Sequence, residues 1–147
     1  MPTLQPSPAL MQRANARPCS SDEAVMLSAD PERALERVRA LCLALPEAGE
    51  KISHGIPAFH VAGRMFAYFR HDHHGDGMTI LCVKTTGRDE QEMLIEADPK
   101  RYSWPAYIGP SGWIAINLAQ DIDWDGVEAR VRSSYFMAAP RRLRERA

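Results

Sequence analysis

The sequence predicts an α+β domain of two layers, an antiparallel sheet with two main helices packed on one of its faces. Two observations carry this. Short runs of alternating apolar and polar residues succeed one another through connections of hairpin length, and such connections join antiparallel strands. Two amphipathic stretches, 30–45 and 124–138, bracket these runs, and each has a single apolar stripe to bury against a sheet.

The first helix opens at Asp30-Pro31-Glu32. Asp30 is a capping residue, Pro31 suits the first helical position, and Glu32 sits at the positive end of the helix dipole. Ala34, Leu35, Val38, Leu41, Cys42 and Leu45 share one face, and Pro46 stops the helix. Residues 55–69 then read as two strands folded about Ala62-Gly63, with Pro57 fixing the start. Phe59 and Val61 alternate with His60, and Phe66 and Tyr68 alternate with Met65, Ala67 and Phe69. A polar loop, His71 to Gly77, leads to an apolar third strand, Met78 to Lys84. Asp89-Glu90-Gln91-Glu92 reads as a capping box before Met93, Leu94 and Ala97, and Asp98-Pro99 closes that short helix. Tyr102 to Tyr107 reads as extended, interrupted by Pro105, and Trp113 to Leu118 is the clearest strand. Trp124, Val127, Val131, Tyr135 and Ala138 mark the last helix, which ends before Pro140.

At 147 residues, with 45 % hydrophobic and 25 % charged residues, the chain suits one soluble domain with a sizeable core. It divides into a flexible leader over residues 1–29, rich in Pro, Ser and Gln, a domain over 30–140, and a basic tail over 141–147. No apolar run is long enough to span a membrane, and no secretory signal is visible. Three cysteines, Cys19, Cys42 and Cys82, are an odd count, two of them in apolar runs, which points to reduced thiols in the cytoplasm. Net charge is −1, unevenly spread. Residues 1–29 are neutral, the four arginines and Glu145 of the tail leave +3, and residues 30–139 carry −4. An acidic body with a short basic tail is a weak electrostatic footprint for a polyanion.

Several words of the sequence, in this order and spacing, resemble the MmcQ/YjbR family of small bacterial proteins over roughly residues 33–144. Gly55-x-Pro57-x-Phe59-x-Val61-x-Gly63-Arg64-x-Phe66-Ala67 is similar to that family's opening hairpin. Ala97-Asp98-Pro99 with Tyr102, Tyr107-x-Gly109 and Gly112-Trp113 is similar to its middle, and Ala139-Pro140-Arg141-Arg142-Leu143 to its end. The resemblance implies a fold related to the frataxin-like (CyaY-like) layer and a double-wing mode of DNA binding. Likeness to frataxins would also imply an iron-binding acidic ridge at Asp30, Glu32, Glu36, Glu47 and Glu50, where Arg33, Arg37 and Arg39 are interspersed.

The leading functional expectation is weak, salt-sensitive, sequence-nonspecific DNA binding. Its residues are Arg64, Arg70, Lys84 and Arg88, with Lys51 nearby, and Arg141, Arg142 and Arg144 of the tail. Arg64 and Arg70, six apart on one strand, share a parity and so a face. The rival is a non-enzymatic module whose open sheet face binds a small molecule or a protein, through His54, His60, Tyr68, Tyr107 and Trp113. Scattered basic residues among acidic ones favour the rival, and clustered ones favour DNA. His71, His73 and His74, with Asp72 and Asp76, form a weak candidate metal cluster on one loop, more suited to adventitious binding. No catalytic constellation is expected. Ser53 and His54 are adjacent on a strand and so point apart, and Cys42 and Cys82 occupy apolar positions. No P-loop or dinucleotide fingerprint occurs, and no cofactor is expected.

Overall fold

The computed structural model describes residues 30–72, 77–119 and 122–147. In chain order they form α1 (Pro31–Leu43), β1 (Gly49–Ser53), β2 (Ile56–Val61), β3 (Arg64–His71), β4 (Thr79–Lys84), α2 (Arg88–Ala97), β5 (Tyr102–Ser103), a 3₁₀ turn (Gly109–Ser111), β6 (Trp113–Asn117), α3 (Trp124–Ala138) and the short α4 (Arg141–Arg144). The six strands make one sheet in the order β1-β2-β3-β4-β6-β5, every pair antiparallel. α1 and α3 pack on one sheet face and on each other, giving the two-layer α+β architecture.

The main core lies between these layers. Phe59, Val61, Phe66, Phe69, Leu81, Val83, Ile114 and Ile116 of the strands meet Val38 and Cys42 of α1 and Val127, Val131 and Tyr135 of α3. Asp30 caps α1 through the Glu32 amide, and Asp123 caps α3 through the Gly126 amide. Tyr135 packs edge-on against Phe66 at 5.5 Å, and its hydroxyl donates to the Pro46 carbonyl.

Four features depart from the sequence reading. β1 is an additional strand, joined to β2 by a two-residue turn in which His54 and Gly55 both have positive φ. Glu50 and Lys51 hid it by breaking any apolar run, as befits an edge strand. A bulge separates Phe59 from His60 in register, so that Val61 faces Arg64 and His60 faces Met65, while Phe59 faces Ala67. The extra residue, Phe66, turns into the main core beside Ala67 and Phe69, and the simple alternation is lost. The stretch from Tyr102 is extended for two residues only, Tyr102–Ser103, and then forms a loop, 104–112, that crosses the second sheet face. Beneath it Ile80, Cys82, Trp113 and Ala115 make a smaller cluster with Met65, Tyr68 and Ile108. The second face is therefore partly covered. The basic tail, read as separate from the domain, is anchored on it: Leu143 of α4 is fully buried and Ala147 packs on the core. The expected leader over residues 1–29 lies outside the described residues.

Candidate functional site: a braced loop and its cleft

Five polar side chains are buried among the described residues: Arg70, Thr79, Thr85, Gln91 and Ser134. Three of them brace the same loop by donating to its backbone carbonyls. Arg70 Nη1 reaches the Ala106 carbonyl at 3.0 Å. Gln91 Nε2 reaches the carbonyls of Gly109 at 2.8 Å and Trp113 at 2.6 Å. Thr85 Oγ1 reaches the Gly112 carbonyl at 2.7 Å. Buried polar groups cost free energy unless bonded, so each brace also ties its own side chain in place. The loop's sequence stiffens it further, since Pro105 and Pro110 fix two φ angles.

The braced loop holds its aromatic side chains outward. Trp104 is 45 % exposed and Tyr107 78 % exposed. Tyr107 has φ 70°, and the Ile108 amide donates to the Ala106 carbonyl at 2.8 Å, which makes a tight three-residue turn around it. A non-glycine residue in that region carries strain of about 1–3 kcal/mol, and Tyr107 shares the positive φ with Glu47, His54, Ala62 and Asp72.

Between this loop and the start of α2 lies a cleft of about 570 Å³, a size typical of small-ligand sites. Thr85, Thr86, Gly87, Arg88 and Gln91 line one side, and Trp104, Pro105 and Gly109–Gly112 the other. Arg88 is its one charged lining residue, and its guanidinium lies 5.5 Å from the centre of the Trp104 ring. The α2 start also differs from the expected capping box. Gly87 (φ 147°) is the N-cap and provides no side-chain cap. Glu90 reaches back instead, accepting from the Thr86 amide at 2.7 Å and the Thr86 hydroxyl at 3.1 Å, and pairs with Arg130 of α3 at 3.0 Å. Partial burial pulls the Glu90 pKa up, but the Thr86 amide, Arg130 and the Thr86 hydroxyl together hold it below the ordinary carboxylate range.

The residues expected to contact phosphates are dispersed. Arg70 is buried at 6 % exposure, with its Nε lacking any hydrogen-bond partner among the described residues, and is not placed to reach a duplex. The bulge at Phe66 also reverses the strand parity, so Arg64 shares the helix side with Val61 while Arg70 lies opposite Ile80 on the second face. Lys84 leans on Trp113, its ammonium 5.8 Å from the ring centre, and Arg88 pairs with Glu92 at 3.0 Å. Arg142 and Arg146 both pair with Glu47. Hydrogen bonding to Arg142 holds the exposed Glu47 carboxyl below its usual range. Arg141 and Arg144 are exposed on α4, and Lys51 is exposed on edge strand β1.

The rival set is also only partly gathered. Tyr68 packs against Trp113 with ring centres 5.0 Å apart and planes inclined at 51°, but Trp113 is 7 % exposed and belongs to the second cluster. Tyr107 sits on the loop above it, His54 in the exposed β1–β2 turn, and His60 against Gly49. His54 leaves the strand at φ 52°, so it does not point away from Ser53 as expected, and their side chains approach at 3.4 Å, exposed to solvent. His71 bonds Thr79 Oγ1 at 2.9 Å, and His73 and His74 lie outside the described residues. Of the acidic-ridge residues, Glu50 is held by Arg39 through bonds of 2.8–3.0 Å and Asp30 caps α1. Cys42 and Cys82 are buried, and desolvation pushes both thiols up, Cys82 to about 12. No described helix is long and apolar enough to cross a membrane.

Sequence reasoning missed Trp104, Thr86 and Gln91. The signal available was composition: two prolines and two aromatic residues within seven positions, between a strand and a glycine pair.

The YjbR family model matches residues 43–137, about two thirds of the chain, and the chain belongs to the YjbR family. No functionally curated protein matches it. Among solved structures it is similar to the crystal structure of Deinococcus radiodurans protein DR2400, a DUF419 domain, at 20 % identity and a TM-score of 0.63. The match covers 80 % of this chain and 90 % of that one, and at this identity it shows a shared fold.

Proposed function

We propose that this YjbR-family chain is a non-enzymatic, cytoplasmic binding domain that takes a small molecule in the cleft between the Trp104 loop and the start of α2. The observation that carries the reading is the bracing of one loop by three of the five buried polar side chains. Pre-ordering a loop lowers the entropy lost on binding, and this loop presents a half-exposed tryptophan to a cleft of ligand size. The dispersal of Arg64, Arg70 and Lys84 favours it over a duplex-binding face. A thermal-shift screen of neutral planar fragments tests it. Fragments that raise the melting temperature of the wild type and not of Trp104→Ala support the cleft. Equal shifts in both proteins, or none in either, overturn it.

A second reading is weak, nonspecific DNA binding, favoured by Arg141 and Arg144, exposed on an anchored helix and without a carboxylate partner among the described residues. It predicts a steep salt dependence. Fluorescence anisotropy with labelled duplex and single-stranded DNA at two salt concentrations checks it, with Arg141, Arg142 and Arg144 replaced by alanine as the comparison. No binding at low salt removes this reading.

A further inference from the structure

We propose that the Trp104 cleft recognises a planar heterocycle with a ring N–H donor and an anionic substituent, the chemistry of a free nucleoside monophosphate. This rests on the reading of the cleft as the ligand site. Three lining groups define the three parts of such a ligand.

The donor edge is called for by Gln91. Its side chain is 2 % exposed, and Nε2 is engaged by the Gly109 and Trp113 carbonyls. Those two bonds fix which way the amide points, leaving Oε1 as its one uncommitted polar atom. Oε1 accepts from no donor among the described residues, it is not sealed from solvent, and Gln91 lines the cleft. An acceptor held in one orientation selects a ligand N–H over an acceptor or an apolar edge.

The planar body is called for by the walls. Trp104 offers a half-exposed indole face, and Pro105 and Pro110 add flat apolar surface. Every base has a π-face that can stack on an aromatic side chain, and on a braced loop less ordering of that side chain is needed.

The anion is called for by Arg88. It is the sole charge in the lining, and its guanidinium fork suits phosphate or carboxylate. Its bond to Glu92 joins side chains 76 % and 55 % exposed, a weak pairing that a ligand anion can replace. Asp89, Glu90 and Glu92 lie on the same turns of α2, so the helix terminus itself adds little. Arg88 must supply the selectivity; its guanidinium lies over the Trp104 ring, and drawn toward a ligand anion it leaves that face to the ligand ring.

Calorimetric titration of the full chain with guanosine and uridine 5′-monophosphates tests the assignment. Both carry a ring N–H. The expected result is saturable binding, weakened about tenfold or more by each of four changes: removal of the phosphate, methylation of the ring nitrogen, Arg88→Ala and Trp104→Ala. Both substituted residues are exposed, so the variants should fold. Binding that survives Arg88→Ala and Trp104→Ala overturns the proposal, as does binding of an oligonucleotide without binding of either free nucleotide. If nucleotides fail while neutral fragments still stabilise the wild type and not Trp104→Ala, the ligand assignment falls and the cleft stands. If neither binds, both fall.

Discussion

At the scale of single residues, Gln91 holds two acceptors from different segments, Gly109 on the loop and Trp113 at the start of β6. Gln91→Ala removes both donors and leaves the space empty, and the expected loss is roughly 2–4 kcal/mol. Chemical denaturation measures that loss. Faster hydrogen exchange at the amides of 108–112 would separate loss of the brace from a general loosening. Arg70 is the less economical brace, since its Nε has no partner and no carboxylate compensates its charge among the described residues. Neither role was legible in the sequence. Gln91 reads as part of a capping box and Arg70 as a surface cation, because whether a polar side chain is buried depends on a loop that folds over it, from 18 residues away for Gln91 and 36 for Arg70.

Among the elements, Ser134 of α3 ties the helix layer to the sheet at its one irregularity. Its hydroxyl donates to the Phe66 carbonyl at the bulge, 2.6 Å, and accepts from the Lys84 amide, 2.9 Å. Ser134→Ala strands both backbone groups, with an expected loss of roughly 2–3 kcal/mol by denaturation at unchanged fold. The bulge itself explains why the strand pairs were readable and the faces were not. Ala62 and Gly63, both at positive φ, announce the β2–β3 hairpin, but one extra residue at Phe66 exchanges the faces beyond it. The α2 terminus carries the clearest pH effect. Glu90 is held below its ordinary pKa in the folded chain, so its contribution is present above about pH 4.3 and is lost as pH falls through the folded value. Glu90→Gln should therefore be less stable than the wild type at pH 7, with the gap closing in acid. A gap that stays constant to pH 3 would contradict the Thr86 and Arg130 contacts.

Over the whole molecule, the two amphipathic helices and the hairpin-length connections foretold the layers and the antiparallel sheet, because both depend on local periodicity. The cleft depends on long-range closure. The loop must cross the second face, α2 must start just after Gly87, and buried side chains from β3, the residue after β4 and α2 must converge on it. The same closure covers part of the second face that an open-sheet reading needs, and it places Arg70 beneath the loop. Ion pairs on the surface disperse the remaining basic residues among acidic ones, as with Arg39 and Glu50 or Arg142 and Glu47. What the sheet presents to solvent is therefore not a basic stripe, and the cleft lies between the loop and the start of α2. Chemical-shift mapping of the isotopically labelled chain titrated with benzimidazole, a neutral planar N–H heterocycle, addresses the central claim directly. The account predicts saturable shifts confined to residues 85–91 and 104–112, absent in Trp104→Ala. Shifts centred elsewhere, or none at millimolar fragment, would contradict it.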